Sequence, residues 1–255
     1  MDAVGVGALL AAAAAAGWVD AVVGGGGLVL IPALMVAFPH LPPAVALGTN
    51  KLTAITGTAV AAVTYARHTP LDRSVALPAA GLAVPAAGLG ALTAASLPAD
   101  WFRPIIMVLL IAVALFVAAR PGFGARQRTN VTSRNRRLFV IALAGCVIGF
   151  YDGIFGPGTG TFLIMVFTSV LSMEFLKSTA LAKVVNVGTN LGALAVFAAH
   201  GQVLWLIGTA MAVCNIAGAR IGARTALRRG SGFVRAVLIV VVTVMVIRLG
   251  IEQFG

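Results

Sequence analysis

Acidic residues are scarce in this chain. Only seven of its 255 residues are Asp or Glu, against eighteen Lys or Arg, and charged residues make up 10% in total. A soluble domain averages about 25%. A soluble fold of this length would have to hide more apolar surface than one core can hold, because hydrophobic residues reach 60% and mean hydropathy is +1.04. There are only two cysteines, Cys146 and Cys214; both sit inside apolar runs without CxxC spacing, which excludes a disulfide framework and a zinc site. They read as packing residues. No Walker motif, HExxH, GxSxG or His/Cys cluster occurs, so direct use of ATP and membrane-embedded hydrolysis have no sequence support. The N-terminus lacks the basic region of a signal peptide and reads as a retained first helix.

What is present is a series of apolar runs, near residues 3–22, 28–38, 45–66, 74–96 and 103–119, then 138–155, 160–171, 178–199, 203–223 and 233–250. A crossing helix needs about 20 residues. Most runs meet that length, which predicts an all-α polytopic membrane protein. Runs 28–38 and 160–171 span about half a bilayer, and each follows a glycine-rich break, Gly24–Gly27 and Gly156–Gly160. Discontinuous helices of this kind recur at transporter binding sites.

The net charge of +11 is not spread as a nucleic-acid surface would require. Six arginines lie in Arg120–Arg137 and four between Arg220 and Arg229, both read as hydrophilic stretches between apolar runs. Placing them inside by the positive-inside rule also puts Arg67, Arg73 and Lys177 inside. The two termini, Pro39–Pro43, Pro98–Trp101 and His200–Gln202 then fall outside. Trp101 and Trp205 read as interfacial belt residues, and Trp18 as packing against the first glycine break.

The two halves resemble each other. GWVDAVVGGGGLVLI (17–31) lies over GFYDGIFGPGTGTFLI (149–164) with one residue gapped in the glycine loop, and 50–68 lies over 182–200 without a gap. Gly17 and Gly149, Asp20 and Asp152, Lys51 and Lys183, and His68 and His200 are all 132 residues apart. Five segments per half is an odd number, so the second copy enters from the opposite face. The expected architecture is two inverted-topology repeats, 1–119 and 138–255, joined by an arginine-rich cytoplasmic linker at 120–137.

At these motifs the chain resembles the TauE/SafE family of sulfite exporters, in particular its YfcA-like branch. The resemblance rests on GGGGLVLIPAL, LPPAVALGTNKL, GFYDGIFGPGTGTFLI and STALAKVVNVGTNLGAL, in that order, over roughly 15–70 and 145–200. The first glycine run is one residue shorter than the family's usual pattern. The resemblance implies a bacterial inner-membrane transporter of sulfite, sulfonates or related organosulfur anions, with export favoured over import and no cofactor.

Candidate site residues follow from chemistry. Helices opening near Leu28 and Thr161 would present unpaired backbone N–H groups and positive dipole ends, a ready anion site. This selects Gly24, Gly25, Gly26, Gly27, Gly156, Gly158, Thr159, Gly160 and Thr161. Lys51 and Lys183 lie about two turns inside apolar helices, where an isolated cation is costly and reads as functional. Asn50, Asn186 and Asn190 would add neutral hydrogen bonds. Asp20 and Asp152 read as charge partners of the lysines or carriers of a coupling proton. His68 and His200 read as interfacial. The expected partners are a small sulfur-containing anion and the lipid bilayer, with a coupling proton or ion and a homo-oligomer both left open. A secondary transporter is the leading expectation, with a passive anion channel, a membrane-embedded enzyme and a structural protein as alternatives.

Overall fold

In the computed structural model, residues 3–96 and 133–254 are described. Run 103–119, most of the 120–137 linker and Trp101 lie outside them. All regular structure among the described residues is helical. The helices are α1 (Ala3–Val23), α2 (Gly26–Ala37), α3 (Pro43–His68), α4 (Arg73–Ser96), α5 (Arg134–Ile154), α6 (Thr159–Val170), α7 (Phe175–Ala199) and α8 (Trp205–Phe254).

Five of them are long and apolar enough to cross a membrane: α1, α4, α5, α7 and α8 up to Val237. Helix α3 has the length, 26 residues, but carries Thr49, Asn50, Lys51, Thr53 and Thr58 on its buried side, which lowers its hydropathy. The chain is therefore a multi-pass membrane protein. Helices α2 and α6 have 12 residues each and begin at Gly26 and Thr159, two residues before the expected openings.

Local sequence sets the ends. Pro43 starts α3 at the position where a missing N–H costs nothing. Ser133 caps α5, its Oγ accepting the Arg136 N–H at 3.3 Å. This cap extends α5 through Arg134, Arg136 and Arg137, which the sequence placed in a linker. A second correction concerns Arg220–Arg229, which is helix and not loop. Arg220, Arg224 and Arg228 stand four apart on one exposed face of α8 and leave its apolar side continuous. The helix breaks only at Gly230 (φ 75, ψ −172). Inside α5, Leu143–Val147 is a π-helical turn.

Helix contacts recur at the 132-residue offset. Helix α1 packs on α8 as α5 packs on α4, and α8 packs on α3 as α4 packs on α7. Single positions follow the same rule. A side chain at Gly222 would meet the Trp18 carbonyl, and one at Gly90 would meet the Phe150 carbonyl. Gly17 lies against Asn215, and Gly149 against Ala83. Small residues let backbones approach where no hydrophobic force separates protein from lipid. The Trp18 ring meets Phe233 edge-on at 6.2 Å, in the segment after Gly230.

Candidate functional site

The chain turns abruptly after Asp20 and after Asp152. Gly24 (φ 81) and Gly156 (φ 84), 132 residues apart, both take the left-handed conformation that ends each first helix. In the second loop, one residue longer, Gly158 caps α6 with φ 80. The two breaks touch. A Cβ on Gly24 would overlap the Gly160 backbone, and one on Gly160 would overlap Gly24. Thr161 Oγ1 donates to the Val23 carbonyl at 2.9 Å and joins the start of α6 to the end of α1.

Both lysines are fully buried, and each reaches the aspartate of the opposite half. Lys51 Nζ lies 2.7 Å from Asp152 Oδ2 and donates to the Asp152 carbonyl at 2.7 Å. Lys183 Nζ lies 3.0 Å from Asp20 Oδ2 and also donates to the Asp20 carbonyl. Each ammonium therefore sits at the C-terminal end of a broken helix, where free carbonyls and the negative dipole end favour a cation. Hydroxyls complete the pairs. Thr58 donates to Asp20 Oδ2 at 3.0 Å and Thr159 to Asp152 Oδ1 at 2.6 Å. The hydroxyls of Tyr65 and Tyr151 hold nearby backbone, at the Ala21 carbonyl (3.0 Å) and the Pro157 carbonyl (2.6 Å).

Between the breaks lies a cavity of about 20 Å³, room for roughly one water. The sequence-selected residues on its wall are Asp20, Gly24, Gly27, Asn50, Lys51, Asp152, Gly156, Thr159, Gly160, Asn186 and Asn190. Lys183 stands behind Asp20 and is not on the wall. Nor are Gly25, which caps α2, Gly26, which packs on the Asp20 side chain, Gly158 or Thr161. Two residues around the site escaped the sequence reading. Ala54 lines the wall, and Thr58 binds Asp20. The repeat alignment held the signal, since it lays Ala54 over Asn186 and Thr58 over Asn190.

The formal charge of the site sums to zero, two lysines against two aspartates, each paired across the halves. His68 and His200 are exposed, each with Nδ1 2.8 Å from the carbonyl four residues back, and lie away from the cavity.

The family profile described as Sulfite exporter TauE/SafE matches residues 9–249, nearly the whole chain. The chain belongs to the TauE/SafE family. A probable membrane transporter of a Sinorhizobium species is 39% identical over 94% of this chain and 90% of its own length. The probable membrane transporter YfcA of Escherichia coli K12 is 35% identical over 98% and 91% respectively. A probable membrane transporter of Haemophilus influenzae Rd is 33% identical over 93% and 91%. No solved structure gives a significant match. As a TauE/SafE member the chain is a membrane transporter, and the cavity at the crossed breaks is its candidate site.

Proposed function

We propose that the protein is a secondary transporter that exports small sulfur-containing anions across a bacterial inner membrane, by alternating access between two inverted repeats. The observation that carries this reading is the crossed pairing of Lys51 with Asp152 and Lys183 with Asp20 around the meeting point of two broken helices. Buried charges at half-helix ends near the middle of a repeat protein are how transporters hold ions. Each lysine bridges the halves, so any relative motion of the halves changes what it pairs with. The cavity is too small for an oxyanion as it stands, which suits an occluded resting state of a carrier better than an open channel. The sulfur assignment and the outward direction rest on the family.

The test is ligand stabilisation of the purified chain by sulfite, thiosulfate, sulfate, sulfoacetate, taurine and acetate. A ligand that binds only the folded state raises the melting temperature with its concentration. Stabilisation by a sulfur oxyanion but not by acetate is expected. Stabilisation by acetate and every other anion alike would overturn the sulfur assignment.

A further inference from the structure

The two halves repeat each other in their charges but not in their amides. Asn50, Asn186 and Asn190 all face the cavity, while their repeat partners are Ala182, Ala54 and Thr58. The lysines differ as well, since Lys51 is on the cavity wall and Lys183 is not. Asn50 is buried, and its Oδ1 has no hydrogen-bond partner. An amide oxygen accepts, so this atom is open to a donor in the cavity, a water or a protonated group, and not to an anion's oxygen. The site is thus one-sided.

We propose that the two ion pairs have different jobs: the cargo anion opens Lys51–Asp152, and Asp152 takes up one proton as Lys51 turns to the anion, while Lys183–Asp20 stays closed as the latch between the halves. This rests on the transport reading above. The balance is simple. With both pairs intact the site is neutral. An unaccompanied monoanion such as hydrogensulfite would therefore leave one uncompensated negative charge, and a dianion such as thiosulfate or sulfoacetate two, in a water-poor interior where that is costly. A proton from the medium, added to Asp152 Oδ2, cancels one of those charges, which restores neutrality for a monoanion and halves the excess for a dianion; no covalent bond to the cargo forms or breaks. The amide N–H of Asn50 remains to bind an anion oxygen, while the Thr159 hydroxyl stays on Asp152 Oδ1.

Few other charges can intervene. Lys51 from α3 is the charged group touching Asp152, and Asp20 with its partner Lys183 of α7 borders the same cavity. From α6 comes Thr159, and from α4 the uncharged Ala87, Gly90 and Ala91 pack on the neighbouring Gly153. Tyr151, next along α5, has its hydroxyl committed to Pro157.

The experiment is anion counterflow in vesicles holding the full chain, with equal pH on both sides, using sulfite, thiosulfate and sulfoacetate as probes. Apparent affinity should rise about tenfold for each unit of falling pH, the slope of one linked proton. Asp152→Asn should abolish that slope. Asp20→Asn should lose rate but keep it. Sulfite itself titrates, so its slope is read against Asp152→Asn in the same vesicles. If Asp152→Asn does not fold, proton uptake by the wild-type chain on addition of thiosulfate or sulfoacetate, in weak buffer, decides. One proton per bound anion is expected, and none overturns the proposal. A wild-type affinity flat with pH, or a slope lost in Asp20→Asn and kept in Asp152→Asn, also overturns it. No saturable counterflow with any of the three probes would overturn the transport reading itself.

Discussion

Gly24 and Gly160 meet backbone to backbone, with no room for a Cβ on either residue. The first break of one half is thereby pressed against the second helix of the other.

Gly24→Ala should cost about 2–5 kcal/mol, combining left-handed strain with overpacking against rigid backbone. Gly160→Ala should also destabilise, by about 1–3 kcal/mol, through overpacking alone. Gly7→Ala and Gly81→Ala, at exposed helical positions with nothing near, should be neutral or stabilising by up to about 1 kcal/mol. Thermal melts of the purified variants in one detergent check the ranking.

Breaking a single ion pair should cost more than removing both partners. Lys183→Gln or Asp20→Asn leaves a buried charge without its counter-ion, with an expected loss of about 3–5 kcal/mol. The double variant leaves two neutral groups that can still hydrogen-bond. It should be more stable than the sum of the singles by about 0.5–3 kcal/mol. Additive losses in a double-mutant cycle would contradict direct pairing.

The inverted arrangement has its own check at His68 and His200, repeat partners that are both exposed at helix ends. With Cys146 and Cys214 replaced, a cysteine at His200 should react with an impermeant thiol reagent applied to intact cells, and one at His68 only after the membrane is opened. Labelling of both from the same side would contradict inversion.

Much of this arrangement was legible in the sequence because repetition made it so. The offset of 132 located Asp20, Asp152, Lys51 and Lys183 before any packing was known, and the glycine breaks marked the start of α2 and α6 to within two residues. Partner choice was not legible. A repeat aligns Lys51 with Lys183 but does not say which aspartate each will reach, since that depends on how the halves cross. The helical state of Arg220–Arg229 was hidden because arginine forms helix readily and only its exposed four-residue spacing gives it away. The contact of Trp18 with Phe233 was not legible for a similar reason: Phe233 lies 215 residues away in the chain, beyond a break at Gly230 that no local pattern places in space.

Lys51 and Lys183 should also differ in function. Lys51→Ala removes the cation on the cavity wall and should weaken apparent anion affinity by at least tenfold, the effect of about 1.4 kcal/mol. Lys183→Ala should act mainly on stability and rate. Concentration dependence of counterflow separates the two, and equal effects on affinity would contradict the one-sided site.

The most direct measurement is uptake of sulfite, thiosulfate and sulfoacetate into vesicles reconstituted with the wild-type chain, over a range of concentrations, with acetate as the comparison. Saturable flux of a sulfur anion, accelerated by the same anion on the opposite side and absent for acetate, is the predicted result. Flux that rises without saturation, or that treats acetate and the sulfur anions alike, would contradict a selective carrier.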